Sequence, residues 1–314
     1  MINVGIIGLG RSGWELHALP LHHMEGYRLV AVCAKPARAQ EAAKTFGARP
    51  YTDSDVLIAY AEVDLVVIAT PNHLHMPLAL AALRAGKHVV VEKPMAMNLA
   101  EADAMLAEAE QSGHTLAVFH NRHWDRDYQM LKQIAQNGLL GKLLTVDSRV
   151  MTYGPEWPNY GISESAPQWR IRRAYGGGML GDWAPHLVEQ CLDLIGEWPA
   201  SLSCQLRSLL WATEVEDYFH LRLVFPSGLL VTIEASNNAR LPSPRWFVVG
   251  SEGTLVAEGT WGRWTEMRIR RTLAGGTMDV MPQDAGASGG SRGHDVGDDL
   301  SIRFYTDLAE ALAR

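Results

Sequence analysis

Gly8-Leu9-Gly10-Arg11-Ser12-Gly13 decides how the rest of the chain is read. A G-x-G-x-x-G pattern alone is weak. Here it follows an apolar run, Ile2–Ile7, and opens a helical pattern, the context in which it reports a dinucleotide site. Gly8 permits a tight turn, Gly10 puts no side chain between backbone and a pyrophosphate, and Gly13 lets helix and strand approach closely. The helix N-terminus, with Arg11 and Ser12 in its entry turn, offers unpaired N–H groups and a positive dipole end to phosphate.

Outward from that turn, strand and helix alternate. Apolar runs at 28–33, 64–69, 88–91 and 115–119 are continuous rather than alternating, as strands buried on both faces should be. Helical patterns lie between them at 14–24, Pro36–Phe46, 76–85 and 99–111. The expected fold class is α/β: an N-terminal Rossmann domain, a doubly wound parallel sheet over residues 1–121. After Asn121 the texture changes. A helix is expected at 125–136, then a Gly, Pro and Trp-rich stretch at 153–178, then a helix at 183–195. Residues 218–225 alternate, Pro226-Ser227-Gly228 turns the chain into 229–235, and Ser251-Glu252-Gly253 makes a second turn. Residues 122–314 therefore read as an α+β domain with an antiparallel sheet. Residues 274–299 carry seven glycines and read as one long loop, and 304–312 begin an amphipathic segment.

Composition narrows the function classes. Lys and Arg number 28 and Asp and Glu 35, a net charge of −7 without a basic cluster, which argues against nucleic-acid binding. No apolar run approaches a membrane span, and the first residues lack the pattern of a signal peptide, so a cytoplasmic protein is expected. Cys33, Cys191 and Cys204 share no close spacing and read as buried thiols, neither a disulfide frame nor a metal site.

Which dinucleotide binds is read beyond the second strand. An NAD site places an acid there for the ribose 2′-hydroxyl. Here the segment is Cys33-Ala34-Lys35-Pro36-Ala37-Arg38, with no acid before Glu41. Lys35 and Arg38 stand at a helix start, where the dipole disfavours cations unless a 2′-phosphate is present, so NADP is preferred over NAD. Thr70-Pro71-Asn72-His73-Leu74-His75 follows another strand end and is expected to line the nicotinamide side, with His73 and His75 equally readable as packing or capping residues and no metal expected.

Two segments carry candidate chemistry. Glu92-Lys93-Pro94 follows the strand at 88–91, where a lysine would face the nicotinamide. Its ammonium can donate to a substrate hydroxyl and stabilise a developing oxyanion, although composition alone favours an ordinary surface lysine. In Gly176-Gly177-Gly178…Asp182…His186, the last two share a helix face, continued by Glu189 and Asp193. On position alone Asp182 reads as an N-cap ahead of a first-turn Pro185, and His186 as a packed core histidine. Capping does not exclude catalysis, because a helix N-terminus keeps His186 neutral and a nearby carboxylate fixes its tautomer.

The Gly8–Gly13 turn, the Glu92-Lys93-Pro94 loop and the Gly-Gly-Gly…Asp182…His186 helix, in this order, resemble the Gfo/Idh/MocA oxidoreductases. His120-Asn121-Arg122-His123-Trp124-Asp125 and Val215–Leu221 of the sequence resemble its NADP-dependent scyllo-inositol dehydrogenase branch. The resemblance implies that Lys93 contacts substrate hydroxyl and nicotinamide ribose, that His186 is the general acid/base, and that Asp182 assists it. It also implies that the Lys93–Pro94 peptide is cis and that 122–314 is a substrate-binding and oligomerisation domain whose large antiparallel sheet forms a homodimer or homotetramer. Family chains usually continue past the helix near Phe304 back to the first domain, whereas this sequence stops at Arg314. Ala184 stands where the family often has Gly, and Glu189 where it often has Asp. The expected substrate is a sugar or cyclitol, bonded by Asn121, His123, Asp125 and Arg170 and packed on by Trp124 and Trp169. The three segments must then converge on one coenzyme. Alternative functions are an NAD-dependent glycosidase of the same superfamily and a non-catalytic dinucleotide-binding regulator.

Overall fold

A computed structural model describes residues 1–154, 169–211, 214–260, 263–273, 276–280 and 295–313. The chain forms two compact units, one of 1–121, 174–176 and 293–314, the other of 122–173 and 177–292.

The first unit is built on six parallel strands: β1 (Ile2–Ile7), β2 (Tyr27–Cys33), β3 (Arg49–Tyr51), β4 (Leu65–Ile68), β5 (His88–Glu92) and β6 (Leu116–Phe119). Their order is β3-β2-β1-β4-β5-β6, so the direction of winding reverses between β1 and β4. That crevice is where doubly wound sheets bind ligands. Two apolar layers cover the sheet. Val4, Ile6, Val32, Val67 and Val90 face one, with Leu21 and Phe119; Ile7, Val66, Ile68, Val89 and Val91 face the other, with Leu57 and Leu83. Continuous Val/Ile runs are the sequence form of that double burial.

Helical connections are α1 (Leu19–His23), α2 (Pro36–Phe46), α3 (Ser54–Ile58), α4 (His75–Arg84) and α5 (Leu99–Ser112). The helix entered from the glycine turn starts earlier than expected, with π-helical turns at Ser12–Ala18 before α1. β3 and α3 have no counterpart in the sequence reading. β3 is three residues long and contains Pro50, and α3 is only five, capped by Asp53, whose side chain accepts from the Asp55 N–H.

The second unit holds α6 (Arg126–Gln136) and α7 (Met179–Ile195) with the strands β7 (Leu143–Met151), β8 (Ser201–Arg207), β9 (Tyr218–Val224), β10 (Leu230–Ser236), β11 (Trp246–Gly250), β12 (Gly253–Thr260), β13 (Arg263–Leu273) and β14 (Gly276–Val280). They form one eight-stranded sheet, β14-β13-β12-β11-β7-β10-β9-β8. It is mixed rather than purely antiparallel, because β7 and β10 pair in parallel at its centre. The expected hairpin is β9–β10, with Leu230 opposite Val224. One face packs on α6 and α7 through Tyr128, Leu131, Leu187, Phe219, Ile233 and Trp246.

The 274–299 reading needs correction at both ends. β14 begins at Gly276, and α8 (Asp295–Leu312) begins nine residues before Phe304; residues 281–294 between them lie outside the described residues. The range 122–314 also fails as one body at its end, since 293–314 belongs with the first unit. Tyr305 and Leu308 of α8 are buried with Leu21, Tyr27 and Phe119. Cys204 is exposed, not buried as expected, because β8 is an edge strand. Among the described residues no helix is long and apolar enough to cross a membrane.

Candidate active site

The glycine turn has the geometry its sequence implies. Gly8 has φ +95, a conformation L side chains rarely adopt, and a Cβ there would sit 2.4 Å from the Ala69 carbonyl oxygen. A Cβ on Gly13 would lie 2.0 Å from the Gly8 carbonyl oxygen. At Gly10 a Cβ would meet nothing within 4 Å. Gly8 and Gly13 are thus demanded by the fold, whereas Gly10 keeps space open that the protein itself does not fill. A dinucleotide phosphate approaching the backbone is what such an opening fits. In the loop after β4, Thr70 Oγ1 and His73 Nδ1 are buried without a hydrogen-bond partner among the described residues, as atoms awaiting a polar ligand would be.

Arg38 lies close to this turn. Its guanidinium stacks on the Trp14 ring, 3.7 Å from the centroid, and its Nε donates to the Leu9 carbonyl at 3.1 Å. Its NH1 pairs with Glu41 at 2.7 Å. Lys35 is exposed at the start of α2, and Arg11 pairs with Glu15 one turn on.

Several expected cofactor residues are committed elsewhere. Ser12 Oγ donates to Glu92 Oε1 at 2.5 Å, tying the glycine turn to the loop that carries Lys93. Glu92 is buried, with His17 Nε2 at 3.2 Å from the same oxygen. Burial opposes its charge, yet the His17 ring, the Ser12 hydroxyl and the nearby Lys93 ammonium hold its carboxyl down at about 2. His75 is fully buried, its ring nitrogens facing the Pro94 carbonyl at 2.8 Å and the Thr70 carbonyl at 3.0 Å. Burial keeps its pKa below the ordinary histidine range. His75 therefore links two loops rather than offering a nitrogen to a ligand. Asn72, also buried, donates to the Gly176 carbonyl at 2.8 Å, and the Lys93–Pro94 peptide is cis.

In the second unit, α7 starts at Met179, four residues earlier than the sequence reading placed it. Asp182 is therefore inside the first turn and not its cap, and Pro185 lies in the helix interior. The N-cap is Gly178 (φ +118), and the free N–H groups are met by Glu216: Met179 N–H donates to its carbonyl at 3.0 Å and Leu180 N–H to its carboxylate at 2.9 Å. Gly177 packs on the 3-10 turn Trp169–Ile171, where a Cβ would lie 2.2 Å from the Arg170 carbonyl oxygen, and the Arg170 guanidinium stacks on Trp169 at 4.4 Å. Asp182 is half-buried, His186 is buried, and its ring meets Trp183 at 6.3 Å.

Beside that helix run contacts the sequence did not announce. His123 Nδ1 lies 2.6 Å from Glu189 Oε1, which raises the imidazole pKa against the effect of burial. Asp193 takes Lys132 Nζ at 2.7 Å and the Tyr128 hydroxyl. Arg245 is buried, bonding Ser148 at 2.6 Å and Gln190 at 2.7 Å, while Gln190 donates to the Arg122 carbonyl at 2.6 Å. Burial pushes the Asp125 carboxyl up to about 6 although Arg122 and Arg245 oppose the shift. Asp217, next to Glu216, accepts the N–H groups of Leu209, Leu210 and Trp211 at 2.7–2.8 Å. Trp124 is half-buried against His123, and Asn121 is buried at the end of the first unit. The spacing of acids on α7 was visible in sequence; partners from distant segments were not.

Comparison with known proteins agrees with this reading. Residues 2–120 match the model of the oxidoreductase family with an NAD-binding Rossmann fold, and residues 128–256 match the GFO/IDH/MocA C-terminal domain. The chain is 34% identical to the uncharacterized oxidoreductase YdgJ of Escherichia coli K12, over 82% of this chain and 71% of that protein. It is 28% identical to the scyllo-inositol 2-dehydrogenase (NADP(+)) IolW of Bacillus subtilis 168, over 86% of this chain and 72% of that protein. Levoglucosan dehydrogenase in complex with NADH and levoglucosan superimposes with a TM-score of 0.80 at 25% identity, covering 98% of this chain and 90% of that one. A glycine turn shaped for a dinucleotide, a Glu-Lys-Pro loop bonded to it and these matches lead to one conclusion: the chain belongs to the Gfo/Idh/MocA family of NAD-binding Rossmann-fold oxidoreductases.

Proposed function

We propose that the protein is an NADP-dependent dehydrogenase of a secondary hydroxyl on a cyclitol or sugar, working in either direction between alcohol and ketone. What carries this reading is the 2.5 Å bond from Ser12 to Glu92, which fastens the lysine-bearing loop to the dinucleotide turn. The nicotinamide, when bound, supplies the hydride acceptor. Lys93 donates to the substrate oxygen and stabilises its developing negative charge. His186 takes the hydroxyl proton as general base and returns it when the ketone is reduced. Asp182, one turn earlier on α7, orients that imidazole. Asn121, His123, Arg170 and the Trp124 and Trp169 rings suit a hydroxylated substrate with apolar C–H faces. The similarity to a scyllo-inositol and to a levoglucosan dehydrogenase supports that substrate class.

NADP is preferred because Arg38, held by Trp14 and the Leu9 carbonyl, puts a cation beside the turn where an NAD enzyme carries an acid. Copies of the chain are proposed to associate through the face of the second sheet away from α6 and α7. There Phe247 and Val256 are partners in register, opposite in facing to the buried Val248 and Leu255.

The test mixes pure protein with NADP and a panel of polyols and follows reduced-nicotinamide absorbance. Lys93→Ala and His186→Ala should abolish turnover while cofactor binding persists; normal turnover in both overturns the assignment. Arg38→Ala should weaken NADP binding by about tenfold and leave NAD binding little changed. Light scattering should give a dimer or tetramer mass that Phe247→Glu lowers.

A further inference from the structure

The first unit holds a buried polar chain that the proposed reaction leaves unused. It starts on α8, where the Tyr305 hydroxyl lies 2.6 Å from His17 Nδ1. His17 Nε2 lies 3.2 Å from Glu92 Oε1, the oxygen that also receives the Ser12 hydroxyl. The other Glu92 oxygen accepts the Lys93 backbone N–H at 3.2 Å. Tyr305 and His17 have no exposed surface, and the Tyr27 hydroxyl donates to the Tyr305 carbonyl at 2.7 Å, anchoring this turn of α8 to β2.

The imidazole bridges the Tyr305 hydroxyl and the Glu92 carboxylate, and because an ionised carboxylate only accepts, Nε2 is the donor to Glu92. A phenylalanine at 305 would fill the same space beside Tyr27, Phe119 and Phe304, so packing does not call for the hydroxyl. A hydroxyl buried there is tolerated because it has a partner, and that partner leads to the lysine loop. On the other side of Lys93, the Pro94 carbonyl faces His75. Both peptide neighbours of Lys93 are thus anchored by buried imidazoles. A reacting ammonium needs such support, since small misplacements of a reacting group are costly in rate.

We infer that Tyr305 and His17 are positioning residues for Lys93: through Glu92 they hold the peptide that carries it, and the C-terminal helix thereby takes part in setting the reactive loop. The inference rests on the role proposed above for Lys93.

The test uses full-length Tyr305→Phe, His17→Ala and His17→Gln; glutamine keeps an N–H donor for Glu92 and alanine does not. NADP titration counts competent sites, so kcat is expressed per site that binds cofactor. Separately, lysines are reductively methylated with ¹³C-formaldehyde, and the Lys93 resonance is assigned by its absence in Lys93→Arg. Tyr305→Phe should keep the melting profile and cofactor affinity, lower kcat per site by about tenfold, and move the Lys93 resonance. His17→Ala should do the same or more, and His17→Gln should recover part of the loss. The inference is overturned if the Lys93 resonance and kcat per site stay at wild-type values in Tyr305→Phe and His17→Ala, or if activity falls only in proportion to the sites lost. Should the wild type oxidise no polyol, the functional reading fails, and the resonance still decides the positioning role.

Discussion

Three glycines within a six-residue turn do different work, and single methyl groups separate their roles. Gly13→Ala drives a methyl onto the Gly8 carbonyl oxygen, 2.0 Å away, so the turn must move; the expected cost is about 1–3 kcal/mol of stability, read as a lower denaturation midpoint. Gly10→Ala meets no protein atom within 4 Å, so the midpoint should stay, while NADP affinity falls by about tenfold or more. A Gly10→Ala variant that binds normally would show that the opening is not the phosphate approach. His123 gives a pH-dependent case. Glu189 raises its folded pKa above the unfolded value, so its contribution to stability is fully present below pH about 6.5 and is lost as pH rises through the folded pKa. His123→Asn should remove that part of the slope of stability against pH. The pair is partly exposed, so the slope should be shallow and weakened by salt.

At the level of elements, α7 shows how a sequence reading can single out a helix's residues and misjudge where that helix begins. Asp182 ahead of Pro185 imitates an N-cap, but the helix begins at Met179 because Glu216, 37 positions along from it, meets its first N–H groups. Glu216→Ala should therefore destabilise the second unit by about 1 kcal/mol in chemical denaturation, whereas Asp182→Asn should leave stability nearly unchanged and reduce turnover. Equal losses of stability would mean Asp182 caps after all. The same contrast explains what was legible. β1, β2, β4 and β5 announce themselves because burial on both faces favours continuous Val and Ile, and the β9–β10 hairpin because burial on one face demands alternation. β3 and α3 are too short to show a period, and β8 is exposed along its whole length, so no pattern of burial marks it. The motifs singled out Lys93, Asp182 and His186 as candidates. The residues that hold the loops and helix, namely His17, Glu216 and Tyr305, come from distant segments and bear no local signal. His75 shows the converse: its place in the loop after β4 is readable, and its burial between two carbonyls is not.

On the scale of the whole molecule, the chain leaves its first unit after residue 121 and ends back in it. α8 supplies Tyr305 and Leu308 to the layer that contains Leu21, Tyr27 and Phe119, so residues 184 and 187 positions after Asn121 help complete the core of the first unit. The second unit has its own core around Tyr128, Leu187, Phe219 and Trp246. Loss of the α8 ring should therefore be felt in one unit and not in the other. Tyr305→Ala empties a fully buried aromatic site, which costs about 3–5 kcal/mol where the surroundings do not collapse. Amide hydrogen exchange should quicken in β1, β2 and β6, which lie under that layer, and stay at wild-type rates in β9 and β10. Acid adds a second lever on the same unit. The Glu92 carboxyl is depressed to about 2, so the stability it contributes is present above pH about 4.5 and is lost as pH falls toward 2. Removing the Tyr305 ring loosens His17, the strongest support of that charge, so Tyr305→Ala should also begin acid unfolding of the first unit at a higher pH than the wild type. Equal exchange in both units, or an unchanged acid limb, would mean that α8 lies against the sheet without holding it.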